Sequence, residues 1–280
     1  MMSDIKRITI IGATGFLGSQ IKAKFSDSEF DICLPKRSDL YSIRRDLGVV
    51  IYAAGYGVCS SAADITNVVD ANVNVLSRIL HDCSYSKLIY VSSTRLYMGS
   101  KTSDEESNLS ISFNDKRKAF NLSKLIAEDL CLSLDNTYVI RPSNIYGAAI
   151  NSSLFLPTIV RHAILNGHID MYVPESYEKD YVSVVDVVRV ITDLIMKDRP
   201  TYRLYNVGSG VNTSALEIAN LIQSRLKCTI DWRKNSTNEV FPETNIGRLK
   251  EEFVFSPSNV LSDLDSMITD FIAAHRSGKF

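Results

Sequence analysis

Between residues 5 and 140 the chain alternates short, almost unbroken apolar runs with longer stretches whose apolar residues recur every three or four positions. The runs at 5–11 (IKRITII), 31–34, 48–53 (GVVIYA), 87–91 (KLIYV) and 137–140 predict strands. Leu17, Ile21 and Phe25 fall four apart and predict a helix that begins at Phe16. Two further helices are predicted over 64–80, with Val68, Val75 and Ile79 on the buried face, and over 118–134. Strands with no polar alternate face are buried on both sides, which requires a parallel sheet covered by helices.

After Gly147 the pattern loosens. Residues 154–165 predict a helix, 167–180 short strands and loops, 181–185 a strand, 186–196 a helix, and 205–210 a strand closing in a turn. An amphipathic helix over 214–226, a polar loop and a terminal helix complete the chain. There is no internal repeat and no low-complexity linker, so the second lobe is threaded into the first. The expected architecture is α/β: a Rossmann-type doubly wound parallel sheet (1–150 and 178–212) with a smaller interleaved α/β lobe (151–177 and 213–280).

Composition narrows the function. The 280 residues carry 31 Lys+Arg against 32 Asp+Glu, a net charge of -1, which lacks the basic surplus a nucleic-acid binder needs. No apolar run reaches the length needed to span a bilayer, and the N-terminus carries no signal-type apolar stretch, so a cytoplasmic location and no membrane partner are expected. Cys33, Cys59, Cys83, Cys131 and Cys228 are odd in number and none pair at metal-ligand spacing. With only His81, His162, His168 and His275 besides, neither a disulfide framework nor a metal site is expected.

The first chemical signal is Gly12-Ala13-Thr14-Gly15-Phe16-Leu17-Gly18, between the first strand and the first helix. Glycines at this spacing allow a tight turn and close backbone approach, and the helix N-terminus offers free N–H groups to a pyrophosphate. Gly12, Thr14, Gly15, Phe16, Leu17 and Gly18 are therefore the expected dinucleotide cradle. Pro35-Lys36-Arg37-Ser38 follows the second strand, where an NAD site usually places a carboxylate. Lys36, Arg37 and Ser38 suit a 2′-phosphate, so NADP(H) is the expected cofactor. The alternative is NAD, with Asp39 or Asp46 serving its ribose or adenine.

Further motifs accompany the loop: YAAG at 52–55, Asn72 in ANVNV, YVSSTRLYMG at 90–99, FNLSK at 120–124, RPSNIYG at 141–147, KDYVSVVDVV at 179–188 and YNVGSG at 205–210. Across essentially the whole chain this order resembles the extended short-chain dehydrogenase/reductase family, the NAD-dependent epimerase/dehydratase type that acts on nucleotide sugars. One α/β unit between the second strand and YAAG looks trimmed. The resemblance implies that Ala53, Ala54 and Gly55 line the cofactor and that Asn72 supports the site. Ser93, with Thr94 beside it, would meet the reacting sugar oxygen, and Lys124 would bind the nicotinamide ribose. Pro142, Ser143, Asn144 and Ile145 would contact nicotinamide and substrate. Ser153, Phe155 and Lys179 would hold the nucleotide diphosphate of the substrate, with Lys179 in place of a more usual arginine. Relatives dimerise through helices equivalent to 64–80 and 118–134, so a homodimer is expected.

One position departs from the family. The general acid/base is the tyrosine of YxxxK, and here the register reads Phe120-Asn121-Leu122-Ser123-Lys124. A phenyl ring neither donates nor accepts a proton. Three explanations stand: a Tyr→Phe exchange made to trap an inactive complex, a natural enzyme using Tyr97, Tyr146 or a bound water, or a non-catalytic NADP(H)-binding sensor. Thr94-Arg95 replaces the acid and base that a 4,6-dehydratase needs, which argues against dehydration. With Lys36-Arg37-Ser38, the resemblance implies an NADPH-dependent reductase of a nucleotide-linked 4-keto-(6-deoxy)sugar, with an NAD-retaining nucleotide-sugar epimerase as the alternative.

Overall fold

The computed structural model describes residues 6–43, 45–152, 154–233 and 239–280. The first half runs β1 (Arg7–Ile11), α1 (Phe16–Phe25), β2 (Asp31–Cys33), β3 (Val49–Tyr52), α2 (Ala62–Val69), α3 (Val75–Asp82), β4 (Lys87–Val91), α4 (Lys118–Leu132) and β5 (Thr137–Pro142). The second half runs β6 (Asn144–Tyr146), α5 (Phe155–Asn166), β7 (His168–Met171), β8 (Glu178–Ser183), α6 (Val184–Met196), β9 (Leu204–Val207), β10 (Asn212–Ser214), α7 (Ala215–Leu226), β11 (Thr229–Trp232), α8 (Gly247–Glu252) and α9 (Val260–Arg276).

Six strands form the parallel central sheet in the order β2-β1-β3-β4-β5-β9. Every residue of β3, β4 and β5 is buried, as their unbroken apolar runs require. The chain leaves β1 toward β2 and then crosses back to β3, so the order reverses between β1 and β3. Open α/β sheets bind ligands at such a reversal, outside the carboxyl ends of the strands. Among the described residues between β2 and β3 the one helical element is a 3-10 turn at Arg37–Asp39, in keeping with a trimmed unit.

The single helix expected over 64–80 is two helices joined by a wide π-type turn at Asp70–Asn74. That turn points Asn72 inward, where it is fully buried. Its amide donates to Ser123 Oγ (2.9 Å) on α4 and to the Tyr56 carbonyl (3.3 Å), and its Oδ1 accepts from Tyr56 N–H (3.2 Å). Local periodicity cannot register such a turn, because its partners lie elsewhere in the chain.

The strand expected over 181–185 is β8, and it lies outside the central sheet. It pairs in parallel with β6 and antiparallel with β10. A two-stranded sheet of β7 and β11 backs α5, α7 and α9, whose inner faces (Ile159, Ile218, Ile222, Leu264, Phe271) make a second core. Residues 246–255, assigned by sequence to the second lobe, instead pack on the first core through Ile246, Leu249 and Phe255. Among the described residues no helix is long and apolar enough to cross a membrane.

Candidate active site

Two adjoining cavities open at the carboxyl ends of the central strands. One, of about 490 Å³, is lined by Gly12, Thr14, Gly15, Lys36, Arg37 and Asp70. The other, of about 780 Å³, is lined by Phe16, Leu17, Ser93, Thr94, Phe120, Lys124 and residues of the second lobe. Ala53, Ala54, Gly55 and Tyr56 border both, so the two form one continuous cleft.

The first cavity fits the phosphates and adenosine end of a dinucleotide. Gly12 has φ +90, and a Cβ there would sit 2.6 Å from Ala54 N; one on Gly18 would sit 2.1 Å from the Gly12 carbonyl. Any side chain at these positions would collapse the cradle. Gly15 caps α1 without a side-chain hydrogen bond, so the first N–H groups of the helix stay open to an anion. Gly18 itself is buried behind the loop, packed against Gly12, and lines neither cavity. Lys36 and Arg37 border the cavity, with Arg37 3.9 Å from Asp70.

Three residues expected at the cofactor lie elsewhere. Ser38 is exposed and donates to Asp39 (2.9 Å). Asp46 sits before the amino end of β3, at the opposite edge of the sheet from the cleft, where its Oδ1 accepts from Gly48 N–H (3.0 Å). Asn72 lines neither of the two cavities and holds the 55–56 segment against α4.

The wider cavity brings together most of the remaining expected residues. Ser93 Oγ accepts from Arg95 N–H (3.1 Å), which leaves its own proton free to donate into the cleft. Lys124 is 4% exposed. Its Nζ donates to the Val91 carbonyl (2.9 Å) and lies 4.8 Å from the Tyr90 ring centroid, and two N–H bonds remain for a ligand. Burial pulls its pKa down to about 8, against the opposing pull of Glu128. Pro142, Ser143, Asn144, Ile145, Phe155 and Lys179 line the same cavity; Ser143 Oγ donates to the buried Asp180 (2.8 Å) and Asn144 to the Asp180 carbonyl (2.8 Å). Ser153 lies outside the described residues.

Phe120 is 9% exposed and forms part of the wall. Neither tyrosine considered as a substitute acid is positioned for that work. Tyr97 is buried away from the cleft, where its hydroxyl donates to Asn206 (2.9 Å) and accepts from Arg141 (2.5 Å). Burial pushes its pKa up to about 12. Tyr146 borders the cavity, but its hydroxyl donates to Asp263 (2.7 Å) and its pKa is raised by burial and that carboxylate.

The structure also supplies residues that sequence reasoning missed. Arg95 is 7% exposed and pairs with Asp115 (2.9 Å) and Glu239 (2.8 Å). Glu239 is shared with Lys179 (3.5 Å) and with the Tyr177 hydroxyl (2.8 Å). Burial opposes the charge on Glu239, but Arg95 and Lys179 outweigh it and hold the carboxyl down at about 2. Arg117 lines the cleft beside Phe120. Lys179 was expected from its motif, but only the third dimension joins it to Arg95, Asp115, Arg117 and Glu239.

A glycine cradle at the strand-order reversal, continuous with a polar cleft over Ser93 and Lys124, defines a dinucleotide-binding α/β protein with room for a second ligand. Residues 29–208 match the NAD dependent epimerase/dehydratase family, and the chain belongs to it. Members of this family are NAD(P)-dependent oxidoreductases and epimerases that act on nucleotide sugars. The chain is 22% identical over 239 residues to a protein of Bacillus subtilis (strain 168) named uncharacterized UDP-glucose epimerase YtcB, covering 81% of this chain and 74% of that one. Among solved structures, MoeE5 in complex with UDP-glucose and NAD superposes with a TM-score of 0.82 at 19% identity, covering 96% of this chain and 99% of that chain. A tyrosine-to-phenylalanine mutant of UDP-glucuronic acid 4-epimerase from Bacillus cereus, bound to UDP-4-deoxy-4-fluoro-glucuronic acid and NAD, superposes with a TM-score of 0.81 at 18% identity, covering 95% and 99%. At these identities the likeness establishes the fold.

Proposed function

We propose that the chain is an NADP(H)-dependent oxidoreductase of a nucleotide-linked 4-keto-sugar whose hydride-transfer site is intact and whose proton-transfer group is missing at Phe120. The observation that carries the coenzyme choice is the pair Lys36 and Arg37 at the rim of the adenosine cavity, where a 2′-phosphate would meet two cations. A bound nicotinamide supplies the hydride. The chain's own part is to polarise the sugar carbonyl through the Ser93 hydroxyl and to hold the ribose through the two open N–H bonds of Lys124. Lys179 offers its cation to the diphosphate from the second lobe.

Affinity measurements test the coenzyme. The parent is expected to bind NADPH at least tenfold tighter than NADH, and Lys36→Ala with Arg37→Ala to erase that preference. Equal affinity in the parent would overturn it. A second reading, an epimerase that retains NAD, is favoured by the name of the Bacillus subtilis relative. Release of stoichiometric NAD on denaturation of freshly purified protein would establish it in place of the first.

The half-exposed apolar residues Ile65 and Val69 on α2 and Leu122 and Ile126 on α4 support a homodimer. Ile126→Lys is expected to yield a monomer in sedimentation. The five cysteines, none of them in a disulfide, are consistent with a reducing cytoplasm as the working compartment.

A further inference from the structure

Arg117, at the entry to α4, is held in place but not neutralised. Its Nε donates to the Gly57 carbonyl (3.2 Å), and its guanidinium carbon lies 4.6 Å from the centroid of the Phe120 ring. Gly57 admits this arrangement, since a Cβ there would sit 3.0 Å from Nη2 and 3.7 Å from the ring. Among the described residues Nη1 and Nη2 have no hydrogen-bond partner, and no carboxylate forms an ion pair with them. Asp115 is otherwise engaged, its Oδ1 accepting from Arg95 (2.9 Å) and from the Arg117 backbone N–H (2.8 Å) and its Oδ2 from Asn121 (2.8 Å), and Glu239 pairs with Arg95 (2.8 Å) and Lys179 (3.5 Å). Burial and the adjacent Arg95 pull the Arg117 pKa down more than the nearby carboxylates of Glu239 and Asp115 hold it up, a balance that an incoming anion would improve.

Arg117 lines the wider cavity together with Phe120, over whose ring its guanidinium lies, and with Ser93. The diphosphate has a separate cation in Lys179, on the second lobe. A planar pair of N–H donors matches a carboxylate in bidentate fashion, whereas the hydroxyls of a neutral hexose would leave the charge uncompensated.

We propose that Arg117 is a specificity-determining residue for a carboxylate on the sugar, so that the substrate is a nucleotide-linked acidic sugar of the uronate class. This rests on the reading of the cleft as a nucleotide-sugar site. Bound substrate would place its carboxylate on Nη1 and Nη2, with the guanidinium kept in plane by the Phe120 ring and the Gly57 carbonyl.

Calorimetry on the NADP⁺-saturated protein tests this with two ligand pairs, UDP-glucuronate against UDP-glucose and dTDP-glucuronate against dTDP-glucose. The members of each pair differ only in a carboxylate against a hydroxymethyl group. The parent is expected to bind the uronate of at least one pair roughly tenfold tighter, the scale of a charge-assisted bidentate contact. Arg117→Gln is expected to bring that ratio close to one, and Arg117→Lys, which keeps the charge without the fork, to leave it intermediate. Unchanged far-ultraviolet circular dichroism would show that both variants fold. Equal affinities in the parent, or a preference that survives Arg117→Gln, would overturn the proposal while leaving the nucleotide-sugar reading in place. If none of the four binds, the nucleotide-sugar reading itself fails, and this inference with it.

Discussion

Restoring a phenol at position 120 is the perturbation that most directly probes the site. Phe120→Tyr adds one oxygen to a ring bordering a cavity of about 780 Å³, so the change in stability is expected to stay within about 0.5 kcal/mol. Lys124 Nζ lies 5.7 Å from the ring centroid. At an effective dielectric of about 20 that separation is worth roughly 3 kcal/mol of attraction for a phenolate, or about two pKa units. Arg117, 4.6 Å from the centroid, acts in the same direction, and burial of the ring opposes both. The introduced tyrosine is therefore expected to titrate about one to two units below the ordinary phenol value of about 10.

The sign of the pH dependence follows from Lys124. Its pKa of about 8 means that it carries its charge, and so supports the phenolate, only below that pH. Reduction needs the phenol to hold its proton and Lys124 its charge, so turnover is expected to stay level in the acid range and to fall as the pH rises through about 8. A positioned acid/base typically contributes about 10²–10⁴-fold, equivalent to about 3–5 kcal/mol of barrier. The assay pairs a tyrosinate absorbance titration, Phe120→Tyr minus parent, with NADPH consumption on a panel of nucleotide 4-keto-sugars. A new tyrosine that titrates at or above 10 would refute the claim that Lys124 and Arg117 act on this position. A low titration with no turnover on any sugar would refute the placement of the hydride site and leave a silent coenzyme-binding protein.

Gly18→Ala is expected to weaken NADP⁺ binding more than tenfold and to lower the melting temperature, because its Cβ would stand 2.1 Å from the Gly12 carbonyl; calorimetry and a thermal melt check both. Arg141→Met strands Glu128, its partner at 2.6 Å with both side chains 4% exposed, and is expected to cost about 3–5 kcal/mol in urea unfolding. Lys124 has a folded pKa below its unfolded value of about 10.5, so between about pH 8 and 10.5 the unfolded chain binds the extra proton. Parent stability relative to Lys124→Met is therefore expected to rise by about 3 kcal/mol across that window, and a flat difference would show that burial does not perturb this amine.

How much of this was legible in the sequence depends on whether the determinants were local. The central strands were readable because burial on both faces removes polar residues from the run itself, as in Val49–Tyr52 and Lys87–Val91, whose sole cation reaches the carbonyls of Leu194 and Lys197. The phosphate cradle was readable because its glycines recur within one short segment, where Gly18 packs on the Gly12 carbonyl, although Gly12 itself answers to Ala54 on another strand. The three-residue strands β6 and β10 were not, since each exists only through pairing with β8. The same limit applies within the site. Ser93, Phe120 and Lys124 occupy fixed registers in short motifs, whereas Arg117 belongs to a DKRK stretch that reads as a solvated helix start. Its position is set by a carbonyl 60 residues away and by a ring three positions ahead. Asp46 shows the converse error: a carboxylate at a plausible distance in sequence stands at the wrong end of its strand. Residue type and spacing thus picked out residues that the fold gathers along one cleft. The contacts that would select one sugar from another are made between distant segments, and only the folded chain brings them together.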